Sequence, residues 1–411
     1  MGGIEMISVT MFPARNGDCF LVSYENEQGG QDHILIDCGY AETYKKYLRE
    51  ALMNIARKGE KISLFIITHV DQDHLLGAIS FLKENNDKRF IEISEIWHNS
   101  YRHLQFSKEK KGEIENSEKC ILQQGIALGI SNIQDIEDEL IDSHISLRQG
   151  STLASLIYEG EYNFNTLFNN QAVSKETNQR IQLANLDILL LSPDKNKLDA
   201  LSQEWMSYLK SERYNFSLSN EKIFDDAYEF FMLSQSDSET KDEQVSIQNA
   251  VNMEYISNNE RVDIDTTILN GSSIALYLSF RDKKLLFLAD AHPDILTSSL
   301  LELRTLGAID ADSKFDLVKI PHHGSSKNMT SALAKLTLSK KYLISTNGKV
   351  HNHPDLESLI RIMLNKTDIC KEFIFNYPTP TSDYISDKSL MSKYNYLVWT
   401  GNEKSPLIIT I

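Results

Sequence analysis

The sequence predicts an α/β fold in which two β-sheets stack against each other and helices cover them. Short apolar runs alternate with helical patterns from residue 6 to residue 98, which indicates strands and helices that follow one another along the chain. A second group of apolar runs lies between residues 262 and 400. An acidic stretch at residues 195–262 separates the two groups and predicts an insertion. We therefore expect a single domain over residues 1–411 that carries this insertion.

The first group of runs predicts strands joined by turns, followed by alternation of helix and strand. MISVTMF, CFLVSYE and HILIDCG are short, rich in β-branched or aromatic residues, and separated by turn-forming residues, so each predicts a strand. Residues 41–58 carry apolar side chains at helical spacing, and the strand pattern KISLFIIT follows them. Another helix is predicted at HLLGAISFLKEN and another strand at IEISEIW.

The C-terminal half predicts a second sheet. LDILLLSP at residues 186–193 has a strand pattern, and the runs SSIALYLSF and KLLFLAD are joined by the tight turn RDK, which predicts a β-hairpin. A helix is predicted at PDLESLIRIML. Four further runs predict strands: FDLVKI, KKYLIST, EFIFNY and YNYLVWT.

The stretch at residues 195–262 is expected to be mainly helical and partly flexible. Its segment DDAYEFFMLSQSDSETKDEQ holds seven acidic residues and one lysine. Because like charges repel phosphate, this composition favours a lid or a surface for a protein partner over a groove for nucleic acid.

Composition and charge narrow the class of function. The chain has 58 acidic residues against 42 Lys and Arg and a net charge of −16, which argues against a protein that coats nucleic acid by general charge attraction. An enzyme that handles nucleic acid through a local basic patch is compatible with this charge. No apolar run is long enough to span a membrane and the N-terminal residues lack a signal-peptide pattern, so we expect a cytoplasmic protein with no membrane partner.

One short motif carries an unusual density of ionisable side chains. ITHVDQDHLLG, residues 67–77, places His69, Asp71, Asp73 and His74 directly after a predicted buried strand. Charged carboxylates are rarely buried without a partner, and a multivalent cation satisfies several of them at once. A helix N-terminus would explain one aspartate as a cap but not the whole group. The spacing therefore predicts a metal site at the end of this strand.

The motif resembles the metal-binding signature His-x-His-x-Asp-His of the metallo-β-lactamase superfamily, with Asp71 at the position of the second histidine. The HHGS element and the His-x-Asp-x-Asp-His form are similar to one branch, the nuclease domain of the bacterial competence DNA-uptake channel and its soluble relatives. The resemblance covers residues 6–98 and 262–400 and implies a four-layer αββα metallo-β-lactamase sandwich. Further elements similar to that family follow in the family's order: ILIDCG, LLFLADAH, LVKIPHHGS and HNHPD.

The resemblance implies two divalent metal ions, with His69 and Asp71 on one ion and Asp290 between the two. Asp71 in place of a histidine hardens the ligand set, which favours Mn²⁺ relative to Zn²⁺ without excluding zinc. Adjacent histidines point in different directions on most backbones, so one of His322 and His323 is expected to bind metal and the other to contact substrate or a carboxylate. The predicted metal ligands are His69, Asp71, Asp73, His74, Asp290 and His322.

Further roles follow from the same resemblance. A histidine ligand that the family usually has between the first motif and Asp290 has no clear counterpart, and His98 is the best candidate, although a histidine beside Trp97 is more often a packed residue. The predicted catalytic residues are Asp73, His323 and His353, the last acting on the leaving group. The residues predicted to support the ligands are Asp37, Lys319 and Asn270.

The function implied is that of a metal-dependent hydrolase, most simply a phosphodiesterase or nuclease in which a metal-bound hydroxide attacks DNA, RNA or a nucleotide. Soluble proteins similar to this branch occur in bacterial anti-phage operons, which suggests a defence context. One alternative is a hydrolase of small esters, lactones or lactams on the same metals. Another is a regulatory or scaffold subunit whose metal site is structural or lost and whose insertion binds a protein partner.

Overall fold

The structure is a computed structural model that describes residues 7–105, 114–138, 152–211, 221–235, 263–310, 312–365 and 367–411. The strands in these ranges are β1 (Ile7–Met11), β2 (Phe20–Glu25), β3 (Gln31–Ile36), β4 (Ile62–Ile66), β5 (Ile96–Trp97), β6 (Arg180–Leu183), β7 (Leu186–Ser192), β8 (Ala275–Phe280), β9 (Lys283–Phe287), β10 (Phe315–Lys319), β11 (Ser339–Ile344), β12 (Lys371–Phe375), β13 (Tyr396–Thr400) and β14 (Leu407–Thr410). The helices are α1 (Ala41–Thr43), a π-helical turn (Tyr44–Leu48), α2 (Arg49–Arg57), α3 (Gln72–Lys88), α4 (Asn116–Asp138), α5 (Leu153–Glu159), α6 (Lys195–Ser211), α7 (Lys222–Gln235), α8 (Ile268–Gly271), α9 (Pro293–Thr305), α10 (Ser331–Leu336), α11 (Leu356–Met363), α12 (Pro380–Ile385) and α13 (Lys388–Tyr394).

These strands form two sheets. The first has six strands in the order β14–β1–β2–β3–β4–β5, and the second has eight in the order β13–β12–β11–β10–β9–β8–β7–β6. In the first sheet β3, β4 and β5 run parallel. In the second sheet β9 to β13 run parallel. Because parallel strands end at the same edge of a sheet, the loops that leave β3 and β4 share one edge, as do those that leave β9 and β10.

Alternation along each strand explains why the two sheets stack. In β8, Leu276 and Leu278 pack in the core between the sheets together with Val9 of β1. Tyr277, between them in sequence, faces the opposite side and packs in a separate core with Leu296 of α9. Helices α2 and α3 cover the outer face of the first sheet in the same way. The layers are therefore helix, sheet, sheet and helix, which confirms the predicted α/β sandwich.

The element predictions hold for most strands but not for all. β8 and β9 form the predicted hairpin, with Phe280 opposite Lys283. The run IEISEIW was predicted as one strand, but only Ile96–Trp97 is a strand, and Ile93 makes an isolated bridge to Ile62. Strand β6 was missed because it is only four residues long, RIQL, and lies at the edge of the sheet.

Part of the predicted insertion belongs to the core. α6 and α7 are helical as expected, whereas residues 212–220 and 236–262 of the insertion lie outside the described residues. Trp205 and Tyr228 are fully buried in the core beneath the first sheet. Glu229 is buried as well, and its carboxylate accepts hydrogen bonds from the backbone N–H of Leu153 and from His98. The acidic composition of this stretch therefore does not mean that all of it is exposed, because α7 packs in the core and its Glu229 has buried hydrogen-bond partners.

Candidate metal centre

The ionisable residues singled out in the sequence lie where strands end. His69 and His74 follow β4, and Asp37 follows the neighbouring strand β3. Asp290 follows β9, and His323 follows the neighbouring strand β10. The strand order therefore brings both sheets' loops to one place between the sheets.

One group of potential ligand atoms joins the two sheets. The rings of His69 and His74 have centroids 4.3 Å apart. Nε2 of His74 lies 3.6 Å from Oδ2 of Asp290, although the two residues come from different sheets. Ligand atoms of these three buried residues all lie within 4.8 Å of one another. This separation matches a cluster that a single cation can bridge.

A second group shares His74 and adds Asp73 and His323. Asp73 Oδ1 lies 3.5 Å from His74 Nε2, and Asp73 Oδ2 lies 3.5 Å from His323 Nε2. Nε2 of His323 is also 3.3 Å from Oδ2 of Asp290. The second group thus touches the first through both His74 and Asp290, as in a site for two neighbouring cations.

Three imidazole nitrogens in these groups are buried without a hydrogen-bond partner in the described part of the chain. They are Nε2 of His69, His74 and His323. A buried polar atom without a partner costs free energy, so its presence calls for an explanation. Because all three nitrogens lie beside the carboxylates of Asp73 or Asp290, the donor set fits a divalent metal ion.

Hydrogen bonds on the other side of each ring leave these nitrogens available. His74 Nδ1 donates to Asp37 Oδ2 at 2.8 Å, and His323 Nδ1 donates to the carbonyl of Ser345 at 2.8 Å. The Thr68 hydroxyl donates to Asp37 at 2.8 Å and lies 3.0 Å from Nδ1 of His69, from which it can accept. Each ring is thereby oriented with Nε2 toward the site, which is the arrangement of metal-binding histidines.

Asp37 lies where the sequence predicts a supporting residue. Its carboxylate accepts from Thr68 N at 2.8 Å as well as from the Thr68 hydroxyl and His74. Burial raises the pKa of Asp37, and the contact with His74 opposes that rise. The residue therefore links the end of β3 to the loop after β4.

Asp71 lies at the start of α3, next to the backbone of Gln72 and close to the carboxylate of Asp73. It is the N-cap of α3 and accepts from the backbone N–H of Gln72 at 2.6 Å, so the capping explanation weighed for this motif applies to one of its aspartates. Burial and the nearby Asp73 raise the pKa of Asp71 well above its usual range. A cation in the site would reverse that effect, because it would favour the ionised carboxylate.

The charges of the site balance internally when no metal is considered. Burial lowers the pKa of His69, and the neighbouring His74 lowers it further. Burial also acts against protonation of His323, but Asp290 and Asp18 outweigh it and raise its pKa to about 9. A proton on His323 thus offsets part of the carboxylate charge, and metal binding at Nε2 would release it.

Lys319 lies beneath Asp290 and not at a surface where it would meet substrate. It is buried, forms an ion pair with Asp18, and its Nζ is 3.5 Å from Asp290 Oδ1 and 3.1 Å from the carbonyl of Ala289. Burial opposes ionisation of Asp290, yet His323 and Lys319 outweigh it and hold its pKa well below the usual range. Lys319 therefore supports Asp290 from within the fold.

The loop ARNGD, residues 14–18, approaches the site closely and was not identified from the sequence. Asn16 Nδ2 donates to Asp73 Oδ2 at 3.0 Å. A Cβ on Gly17 would lie 1.9 Å from the carbonyl oxygen of Asp73, so only glycine fits there. The signal in the sequence was the Asn-Gly-Asp turn, whose polar residues were interpreted as a hinge between strands.

His322 lies at the edge of the site. Its Nε2 is 3.8 Å from Asp290 Oδ2, and its Nδ1 is 3.0 Å from Asn328 Oδ1. Asp265, which sequence reasoning missed, lies 3.4 Å from the same Nδ1. Asn270, predicted as a supporting residue, donates to Asp265 at 2.9 Å.

Two further histidines lie in different surroundings. His353 is buried, with its ring centroid 5.4 Å from that of His322 and its Nδ1 3.5 Å from Asp355 Oδ1. His98 pairs through Nε2 with Glu229 Oε1 at 3.0 Å, so the packed interpretation of this histidine matches its contacts.

The chain is similar to one protein family model and to a solved structure. Residues 13–152 match the family model of the metallo-beta-lactamase superfamily. Among solved structures, the chain is similar to a long form RNase Z from yeast, with 10% identity and a TM-score of 0.34 over 83% of this chain. The chain spans 37% of the length of that enzyme. No curated protein matches the sequence.

None of the described helices is both long and apolar enough to cross a bilayer. The family match begins just after β1 and includes Asp37, His69, Asp73 and His74, the first half of the site. Residues 13–152 are therefore similar to the metallo-beta-lactamase superfamily over the part of the chain that carries these four residues.

Proposed function

We propose that this protein is a metal-dependent phosphodiesterase that acts on nucleic acid or nucleotides. The observation that carries the proposal is the convergence of three buried, unpartnered imidazole nitrogens on Asp73 and Asp290. A scaffold that had lost its metal site would have no reason to keep such nitrogens buried and unsatisfied.

The geometry supports a specific assignment of ligands. Asp73, His74 and His323 would hold one ion and His69 the other, with Asp290 between them. Asp71 is kept as a ligand of the His69 ion from the sequence motif alone. His323 replaces His322 in this assignment because its Nε2 lies nearer to Asp290 and also faces Asp73. Carboxylates supply three of the six ligands, and this share of hard oxygen donors favours Mn²⁺ relative to Zn²⁺.

Bound divalent ions would supply an activated water and would neutralise the phosphoryl oxygens. The chain's own residues set the geometry for that chemistry. Asp37 orients His74, Ser345 orients His323, and Lys319 fixes Asp290 from below. His353, whose ring centroid lies 5.4 Å from that of His322, is proposed to contact the leaving group.

The phosphodiester substrate is proposed from the HHGS element and its resemblance to a nuclease branch. The test begins with metal analysis of protein purified without chelator. Turnover is then measured on bis(p-nitrophenyl) phosphate, single- and double-stranded DNA and RNA, and, as comparators, p-nitrophenyl acetate and a lactone. Mn²⁺-dependent cleavage of the phosphodiesters is expected. Cleavage of the ester or lactone alone would replace this function with the small-molecule hydrolase, and no turnover with metal bound would favour the scaffold.

Three finer predictions depend on that outcome. A role in bacterial antiviral defence requires cleavage of nucleic acid first. Binding of a protein partner through the acidic insertion remains a prediction. The surface available for it is smaller than the whole insertion, because α6 and α7 bury part of their side chains in the core. The cytoplasmic location is likewise a prediction from the sequence.

A further inference from the structure

Arg15 lies in the loop ARNGD, directly before the residue that contacts the metal centre. Asn16, its neighbour in sequence, donates from Nδ2 to Asp73 Oδ2 at 3.0 Å. The backbone N–H of Arg15 donates to the hydroxyl of Tyr377 at 2.9 Å, and the φ of Arg15 is 60°. This backbone region is unfavourable for a residue with a Cβ, so these contacts hold the arginine in a conformation that it would not adopt freely.

The guanidinium of Arg15 packs on an aromatic ring that belongs to the same group of contacts. Its Cζ lies 5.4 Å from the centroid of the Tyr40 ring, a distance at which a cation and an aromatic face attract each other. The Tyr40 hydroxyl donates to Asn16 Oδ1 at 3.2 Å, and Asn16 in turn contacts Asp73. The side chain of Arg15 is therefore held beside the centre before any substrate binds.

The guanidinium keeps hydrogen-bond donors available. Its Nη2 pairs with Glu42, while Nη1 and Nε have no acceptor among the described residues, and the side chain is 24% exposed. Lys46 pairs with the same carboxylate, so two cations share one anion. These three side chains carry a net positive charge in a chain whose overall charge is −16, which makes them a local basic site.

We infer that Arg15 binds a phosphate that flanks the scissile one, so that the substrate is a polynucleotide chain and not a mononucleotide. A planar guanidinium recognises phosphate through paired N–H donors, and a side chain already fixed on Tyr40 loses less entropy when it binds. Only Asn16 lies between Arg15 and Asp73, so a phosphate at Arg15 is a neighbour of one at the metal centre. This inference rests on the proposed phosphodiesterase function and adds a subsite to it.

The test compares the thymidine dinucleotide TpT with its 5′-phosphorylated and 3′-phosphorylated forms, which add a flanking phosphate on one side or the other. The wild type loaded with Mn²⁺ should cleave one of the phosphorylated forms with a kcat/KM roughly 10-fold or more above that for TpT, because a charge-assisted hydrogen bond is gained. Arg15→Ala should remove this preference, mainly through KM. All three substrates meet the same metal centre, so incomplete metal loading cancels in the ratio of their kcat/KM values.

Glu42→Gln should act in the opposite direction. It removes the carboxylate that competes with phosphate for Arg15, so the preference for the phosphorylated form should increase. An ion pair with a purely structural role would give no such opposite signs. Arg180→Ala is the matched control, because Arg180 is also paired with an aspartate but lies on the edge strand β6 with a side chain that is 66% exposed. It should keep the wild-type preference.

A binding measurement reports the same contact without turnover. Anisotropy of a fluorescein-labelled oligothymidylate is measured with the full chain in the presence of chelator. Arg15→Ala should weaken binding roughly 10-fold and reduce the slope of log Kd against log salt concentration by about 0.7, because one phosphate contact is lost. If thermal melting shows that Arg15→Ala does not fold, Arg15→Gly takes its place, since glycine adopts a positive φ without strain.

Three results would overturn the inference: equal cleavage of TpT and both phosphorylated forms by the wild type, an unchanged preference in Arg15→Ala, or a reduced preference in Glu42→Gln. Failure of the metal-loaded wild type to cleave TpT, its phosphorylated forms and bis(p-nitrophenyl) phosphate would instead overturn the proposed function. The anisotropy measurement would still test the contact made by Arg15.

Discussion

The two histidine-bearing loops of the centre reach it in different ways. The loop after β4 runs into the long helix α3, and both His69 and His74 turn Nε2 inward. The loop after β10 is a single short turn in which His322 and His323 both adopt positive φ, 43° and 52°. Such backbone is unfavourable for residues with a Cβ and persists where the surroundings enforce it. As a result Nε2 of His323 lies between Asp73 and Asp290, whereas Nδ1 of His322 lies beside Asp265.

The difference teaches that a motif predicts which residue types gather but not how each side chain is used. In the first loop Asp71 caps α3, and Asp73 and His74 lie in its first turn, so the directions of Asp73 and His74 follow from regular structure. In the second loop no long helix or strand fixes the side-chain directions, and they are set by hydrogen bonds that the Ser345 carbonyl and Asn328 Oδ1 accept from His323 and His322.

The largest effect is expected for Asp290, the carboxylate shared by both loops. Asp290→Asn should abolish metal-dependent turnover and lower metal content, because one residue contacts both His74 and His323. The effect of this substitution is measured as metal content by mass spectrometry and as turnover of bis(p-nitrophenyl) phosphate. Asp263→Asn, at an exposed carboxylate, is the control that should match the wild type. Full metal content in Asp290→Asn would rule out Asp290 as the shared ligand.

The second prediction separates the adjacent histidines directly. His323→Ala should lose metal, because its Nε2 is 3.5 Å from Asp73 and 3.3 Å from Asp290. His322→Ala should keep its metal. Metal retention is compared after dialysis of both variants under identical conditions. The reverse result would restore the assignment of His322 as the ligand and remove the contrast between the two side chains.

The third prediction concerns the support of the first loop. Asp37→Asn should weaken metal affinity about 10- to 100-fold, since the residues that orient metal-binding histidines typically contribute this much. An amide at this position would place an NH₂ group against at least one of the donors from Thr68 and His74. Competition with a metal-sensitive dye measures the change. Unchanged affinity would mean that α3 alone holds His74 in place.

The fourth prediction concerns how protonation of His323 changes the stability of the metal-free protein with pH. The pKa of His323 is raised to about 9 in the fold, so its protonated form stabilises the fold fully below the unfolded value near 6.5. That contribution is lost as pH rises through about 9. Chelator-treated protein should therefore lose stability between about pH 6.5 and 9, and His323→Gln should reduce the slope. Denaturant unfolding across this range tests it, and identical slopes in the two proteins would contradict it.

Much of the fold was predictable because strand patterns and turns are local. The β8–β9 hairpin and the layers follow from alternation of apolar residues, and the first loop follows from its dense motif. Asp18 and Asp265 could not be found in this way. Each is a single aspartate in an ordinary turn, and its role arises only when Lys319 or His322 folds against it from a distant strand end. The burial of Glu229 could not be predicted for the same reason, since the sequence of an acidic stretch does not indicate which of its carboxylates has a partner in the fold.

The smallest effect on the metal centre is expected from substitution of the buried Glu229. Glu229 accepts from His98 Nε2 at 3.0 Å and from the backbone N–H of Leu153 at 2.8 Å, and it ties α7 to the start of α5. Glu229→Gln keeps one acceptor oxygen but places an NH₂ group against a buried donor, so the free energy of unfolding should fall by about 1–3 kcal/mol. Metal content should not change, because His98 pairs with Glu229 and stands apart from the groups of ligand atoms around Asp290. Denaturant unfolding and metal analysis of the same preparation measure both quantities. Exposed Glu204→Gln on α6 is the control, and a loss of metal in Glu229→Gln alone would show that His98 is coupled to the centre after all.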